Sequence, residues 1–129
     1  MKKNSLIETS KQIAASLPAI ASYQRIAILL AIGNGEACVC HLEIVLGWRQ
    51  AYISQHLMAL RKADILKADR KGKYIYYKLK NPALLKVIIN FASLNGLSSE
   101  TVSTFINQQN YPSCDCPQCL PTLIQASSK

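Results

Sequence analysis

Acidic residues are scarce in this chain, seven Asp and Glu among 129 residues against fifteen Lys and Arg. The few carboxylates are scattered. No paired-carboxylate motif, no Ser-His-Asp set and no phosphate-binding loop stands out, which argues against an enzyme. The longest purely apolar run, Ile26 to Ile32, is far too short to span a bilayer. Lys2 and Lys3 are followed by Glu8 and Lys11 rather than by an apolar core, so no secretory signal is visible and a cytoplasmic location is expected. Internal repeats and low-complexity segments are absent from the sequence as well.

What is present is basic charge and cysteine. The formal charge is +8 and the pI about 9.4, which favours an anionic partner, nucleic acid or a membrane surface. The surplus is concentrated: between Arg61 and Lys80 eight basic residues face two acidic ones, a net +6. Five cysteines at tight spacings, an odd count, suit metal or redox sensing in a reducing compartment better than a disulfide framework.

The length suggests one domain, over residues 1–110, followed by a cysteine-containing tail at 111–129 that carries three prolines. Ser5 and Glu8 have capping-box spacing ahead of a first helix with Leu6, Ile13 and Leu17 on one stripe, closed by Pro18. A second, nearly all-apolar helix fits Ala19 to Ile32, and Gly33-Asn34-Gly35 breaks it. A short third helix fits Ala37 to Leu46, stopped by Gly47, and a fourth fits Gln50 to Lys62 with Ile53, Leu57 and Leu60 on one face. Leu66 to Lys80 reads as a two-stranded hairpin, Ile75, Tyr77 and Leu79 alternating with Tyr74, Tyr76 and Lys78. Asn81-Pro82 starts a fifth helix as cap and first residue, and a weaker sixth fits Ser98 to Gln109. Four helices, a hairpin and another helix describe a winged helix-turn-helix, mainly α with a small β-hairpin.

In such a fold the second helix of the motif enters the major groove and needs donors at its N-terminal end. Gln50, Tyr52, Ser54 and Gln55 supply them, and Arg49 sits where phosphate or base contact is easy. Arg70, Lys71 and Lys73 at the hairpin tip would add salt-dependent backbone contacts. A solvated surface hairpin is the plainer reading of that tip, weakened by the adjoining helix-turn-helix. His56 either faces DNA or bonds to the backbone within the motif.

Cys38 and Cys40 are two residues apart; on a regular helix they would point ~200° apart and could not share an ion. A distorted first turn would let them converge, and ligand binding would then bend the helix that supports the recognition helix. Cys114, Cys116 and Cys119 lie within six residues of the Pro-rich tail. Three such thiolates suit a pyramidal As(III) or Sb(III) centre, or part of a Cd(II), Pb(II) or Zn(II) site. Helix packing is a plainer role for Cys38 and Cys40. A redox switch between the two clusters is another outcome of the same residues. His41 neighbours the first pair, with a structural or solvent-facing role favoured over ligation.

From Arg25 to Leu79 the chain resembles the ArsR/SmtB family of metal-sensing repressors: "RIAILLAIGNGEACVCHLEIVLGWRQAYISQHLMALRKADIL" is similar to the family's helical core and "RKGKYIYYKL" to its wing. "EACVCHL" resembles the ELCVCDL metal box of its arsenic, cadmium and lead sensors. The resemblance implies a homodimer built on the first and fifth helices that represses its own operon until metal binds. It implies thiolate ligands at Cys38 and Cys40 and DNA contacts at Gln50, Tyr52, Ser54, Gln55 and His56. His41 departs from the usual Asp, Asp64 stands where Gly is usual, and Arg49 replaces a small capping residue. The fifth helix, Ala83 to Leu94, lacks the His and Asp residues of the family's zinc or nickel site. The N-terminal cysteines that complete its cadmium and lead sites are also missing, a role left to the tail cysteines.

The function expected on these grounds is a repressor of double-stranded operator DNA released by As(III) or Sb(III), with Cd(II), Pb(II) or Zn(II) as alternative inducers. A thiol redox or persulfide sensor on the same scaffold is the second reading, and a membrane-surface or protein-binding module the third. The ion is held either by the tail triplet alone or, as favoured here, by Cys38 and Cys40 with a tail cysteine.

Overall fold

The computed structural model describes residues 2–106; Cys114, Cys116 and Cys119, and the expected boundary near residue 110, lie outside them. The order is α1 (Lys2–Ser16), a 3-10 turn (Leu17–Ala19), α2 (Tyr23–Ile32), β1 (Glu36–Cys38), α3 (Val39–Leu46), α4 (Gln50–Lys62), β2 (Leu66–Lys71), β3 (Tyr74–Leu79), α5 (Ala83–Leu94) and α6 (Ser99–Ile106). The winged helix-turn-helix expected from the sequence is the observed fold.

Several boundaries move, each for a local reason. Pro18 enforces the 3-10 turn, and α2 begins only at Tyr23, where the Ser22 side chain accepts a hydrogen bond from the Arg25 N–H. Helix α1 already runs from Lys2, so Ser5 is inside it and not its cap. At α5 the helix starts one residue later than expected, yet Asn81 Oδ1 still accepts from the Ala83 N–H at 3.1 Å. The sixth helix begins at Ser99 rather than Ser98, and its described part ends at Ile106.

The larger correction concerns Glu36 to Cys38. The expected third helix began at Ala37, but these three residues form a strand that pairs antiparallel with β3, Cys38 opposite Tyr76. The wing is therefore a three-stranded sheet in the order β1-β3-β2, not a two-stranded hairpin. Central β3 buries residues on both sides: Leu79 joins the main core, whereas Tyr76 packs with Cys38. The hairpin turns on Gly72, whose φ of +66° a side chain rarely adopts.

The main core gathers Ile28, Leu29 and Ile32 of α2, Leu42 of α3, and Ile53, Leu57 and Leu60 of α4, all at most 1% exposed. These seven side chains fix the angle between α3 and α4 and hold the outer face of α4 toward solvent. Gly47, left-handed at φ +70°, ends α3 and turns the chain into α4.

Asp64 is the one non-glycine with positive φ among the described residues, at +65°. It holds Lys80 through a 2.6 Å ion pair that is well exposed on both sides. Relief of a left-handed side chain amounts to about 1 kcal/mol, more than the ~0.5 kcal/mol of an exposed pair. Asp64→Gly is therefore expected to raise stability by a few tenths of a kcal/mol in urea unfolding. A loss greater than about 1 kcal/mol would mean the ion pair dominates.

Candidate nucleic-acid interface and thiol site

Helix α4 presents Gln50, Tyr52 and Gln55 to solvent, with Ser54 half-buried, while Ile53, Leu57 and Leu60 anchor its other face. Arg49 is the N-cap in extended conformation, and its side chain makes no cap hydrogen bond, since a guanidinium has no acceptor to offer. The first-turn N–H groups of α4 thus point out beside an exposed cation, an arrangement that favours phosphate.

The second expected contact surface is the tip of the wing, where Arg70, Lys71, Gly72 and Lys73 are all exposed. Lys71 is already engaged: its Nζ donates to Glu36 Oε1 at 2.7 Å, which raises its pKa. Among the described residues Arg70 and Lys73 carry no such carboxylate pair, and Lys73 Nζ lies 5.5 Å over the Tyr74 ring.

His56 takes a partner that sequence reasoning did not include. Its Nδ1 accepts from Arg25 Nε at 3.3 Å, and Arg25 Nη1 also donates to the Ala19 carbonyl at 3.0 Å. The contact ties α4 to the start of α2, thirty-one residues away, and no local pattern announces it. Trp48, Tyr52 and His56 stack edge to face, with centroids 5.5 and 4.9 Å apart, so Tyr52 is braced at one edge and exposed at the other.

Burial, and then the neighbouring Arg25 charge, lowers the His56 pKa; burial alone lowers that of His41. Because both folded values lie below the ordinary ~6.5, the unfolded chain binds the protons first as pH falls. The stability they contribute is complete above about 6.5 and declines below it, until pH passes the folded values. The thermal midpoint is expected to drop between pH 7 and pH 5, and His56→Gln to lessen that drop. A midpoint flat across this range would contradict the assignment.

Cys38 and Cys40 converge. Their Sγ atoms lie 2.7 Å apart and neither is in a disulfide. The distorted helical turn expected to be needed for this convergence is not, because Cys38 is not helical. It closes β1 and caps α3, its Sγ accepting from the His41 N–H at 3.4 Å, while Cys40 lies in the first turn. The strand-to-helix switch aims both thiols the same way, so sharing a ligand requires no helix distortion. A tetrahedral ion with bonds of ~2.3 Å holds two sulfurs roughly 3.8 Å apart; the pair has to part by about an ångström, within reach of side-chain rotation. Two soft donors fit a thiophilic ion or metalloid. His41 is buried behind them, at 5% exposure, the structural role favoured for it. Among the described residues, no group of three or more Cys, His, Asp or Glu side chains is placed to hold a metal.

The thiols and the candidate nucleic-acid surface meet. A cleft of about 370 Å³ is lined by Cys38 and Cys40, by Gln50 and Ser54 of α4, and by Lys73 and Tyr74 of the wing. Cys38 is also buried against Tyr76 of β3. Strand β1 is the link that the sequence did not disclose: it fastens the thiol pair to the wing on one side and to α3 on the other.

Residues 22–68 match the family model described as bacterial regulatory protein, arsR family. The chain is 49% identical over 51 residues to the arsenic resistance transcriptional regulator ArsR1 of Pseudomonas putida, covering 40% of each. It is 30% identical over 95 residues to the nodulation protein NolR of Rhizobium meliloti, covering 74% of this chain and 78% of the relative. The transcriptional regulator HlyU from Vibrio vulnificus superposes with a TM-score of 0.65 at 28% identity, over 70% of this chain and 98% of that one. The match spans only 40%, 50% and 60% of the length of the first three curated relatives.

Proposed function

The chain belongs to the arsR family of bacterial regulatory proteins, and from that membership we propose that it is a dimeric operator-binding repressor released by a thiophilic metalloid, As(III) or Sb(III). The observation that carries this reading is the shared cleft, where Cys38 and Cys40 stand beside Gln50, Ser54 and Lys73. Helix α4 enters the major groove with Gln50, Tyr52, Ser54 and Gln55 forward. Arg49, Arg70 and Lys73 neutralise phosphates, with Lys71 held in reserve by Glu36. His56 braces α4 through Arg25.

Ligand capture by Cys38 and Cys40, with a tail thiolate from Cys114, Cys116 or Cys119 as third donor, then acts from inside the interface. Spreading the two sulfurs moves the end of β1, and with it β3 and the wing, relative to α4. The coupling runs through the sheet rather than through a bent helix. The arsenic-resistance name of the Pseudomonas relative supports the metalloid over Cd(II), Pb(II) or Zn(II).

Release on thiol oxidation or persulfidation is the second reading, favoured by the 2.7 Å approach of the two sulfurs. Under it, peroxide or a polysulfide releases the duplex and arsenite does not.

The DNA-binding half is tested with the reduced, ion-free full chain and a duplex of its own promoter. Arg70→Ala and Lys73→Ala are each expected to lower the slope of log affinity against log salt by about 1, and to weaken binding equally on unrelated duplexes. Gln50→Ala or Gln55→Ala should instead reduce discrimination by ~1–3 kcal/mol. No retarded band with any duplex, together with strong binding to anionic vesicles, would replace the repressor with a membrane-surface module.

A further inference from the structure

The three cations at the wing tip, Arg70, Lys71 and Lys73, are not equivalent. Lys71 Nζ donates to Glu36 Oε1 at 2.7 Å and lies 5.3 Å from the centroid of the Tyr76 ring. Strand register shows how far the side chain is drawn back to reach these partners. Lys71 stands opposite Tyr74, at the tip end of β3, whereas Glu36 stands opposite Lys78. Those two β3 positions are four residues apart, roughly 13 Å along the strand. The Lys71 side chain therefore runs diagonally across central β3, from edge strand β2 toward edge strand β1, over the ring of buried Tyr76. Its ammonium is turned from the tip toward the base of the sheet, while the phosphates that a wing meets lie beyond the tip. One ammonium cannot occupy both places.

We propose that Glu36 is an intramolecular competitor of DNA phosphate: by holding Lys71 across β3 it withholds one cation from the duplex and limits the affinity of the wing. This rests on the repressor reading, since the competition has no object unless the wing meets a duplex. A lysine paired with a carboxylate presents no net charge, so a phosphate contact through Lys71 first requires the pair to part. The Lys71 side chain is 50% exposed and that of Glu36 23%, so water and salt weaken the pair and the hold is a partial one. Phosphate contact by a cation is independent of sequence. Glu36 therefore lowers affinity for every duplex alike and leaves base reading by α4 untouched. Glu36 lies two residues before Cys38 on the same face of β1. The strand that carries a thiol thus also governs a cation of the wing. Asp69, exposed on the same strand as Lys71, acts on it through charge, which makes Asp69 the control for charge alone.

The test uses the reduced, ion-free full-length chain with its promoter duplex and with an unrelated duplex, affinity being followed by anisotropy across a salt series. Glu36→Gln keeps the shape of the side chain without its charge, and Glu36→Ala removes the acceptor as well. Both variants are expected to bind both duplexes about three- to fivefold more tightly at low salt. Both should steepen the slope of log affinity against log salt by up to about 0.9, as Lys71 gains a phosphate. Adding Lys71→Ala should return the slope to the wild-type value. Asp69→Asn removes an equal charge from the wing and should leave the slope unchanged. An unaltered slope in both Glu36 variants overturns the proposal. A steeper slope that survives Lys71→Ala, or that Asp69→Asn reproduces, assigns the effect to net charge and overturns it as well. In each of these cases wild type still binds its promoter, so the repressor reading stands and only the competition fails. Should wild type bind no duplex, that reading fails and the competition falls with it.

Discussion

With Cys38 and Cys40 both replaced by serine, the protein is expected to stay on its promoter duplex at arsenite concentrations that strip wild type from it. Serine is among the best helix N-caps, so at position 38 it keeps an acceptor for the His41 N–H, and α3 should remain intact. What is lost is the soft donor pair, since a hydroxyl is no ligand for a thiophilic centre. An inducer's effect on DNA affinity is usually some 5–150-fold; in the double variant it should fall to no effect, with ion-free affinity within about twofold of wild type. Anisotropy with a labelled duplex measures both quantities. An unchanged arsenite response would assign the ion to Cys114, Cys116 and Cys119 alone and remove the shared site.

The second large effect concerns assembly. Helix α1 is fifteen residues long, and every residue from Ser5 to Ser16 is exposed in the single chain. An isolated helix of that length is marginal in water, and Leu6 and Ile13 stand 68% and 60% exposed on it. On α5, Phe91 and Leu94 are 65% and 81% exposed. The exposed apolar residues of α1 and of the outer face of α5, whose inner face packs Leu85 and Ile88 into the core, fit the reading of a homodimer joined through α1 and α5, in which each covers its counterpart. Ile13→Glu with Phe91→Glu places carboxylates in that contact. The variant is expected to sediment as a monomer, with less helical circular dichroism as α1 frays. Its affinity for a two-half-site operator should drop on the order of a hundredfold, since the linked second contact is gone. A variant still dimeric would put the interface elsewhere, and a monomeric wild type would remove the dimer from the account.

How far the sequence reveals this molecule depends on the distance over which each feature is determined. Helix α4 matches its expected limits, Gln50 to Lys62, because a 3.6-residue apolar period follows a glycine stop at Gly47. The basic wing was legible for the same kind of reason, alternating residues about a glycine turn. Strand β1 was not. Three residues are too few to show a period, and Glu36 to Cys38 are extended only because Tyr76 to Lys78 lie beside them, some forty positions later. That one pairing decides where the thiols point, so their convergence was hidden along with it. The Arg25–His56 contact was hidden likewise, a tertiary bond between residues with no sequence relation. Asp64 could be singled out as unusual from the sequence, and its φ of +65° gives the reason a glycine suits that turn. Residue types at the site were readable, therefore, whereas the cleft that unites them is a product of the sheet.

The most direct measurement of the central claim is a single titration. Reduced, ion-free full-length protein is held on a fluorescent duplex of its own promoter, and arsenite is added while anisotropy is followed. A bound complex is expected at the start, with release complete near one arsenite per protomer. A duplex that stays bound through saturating arsenite, antimonite, cadmium and lead would contradict the claim, as would a protein that never bound the duplex at all.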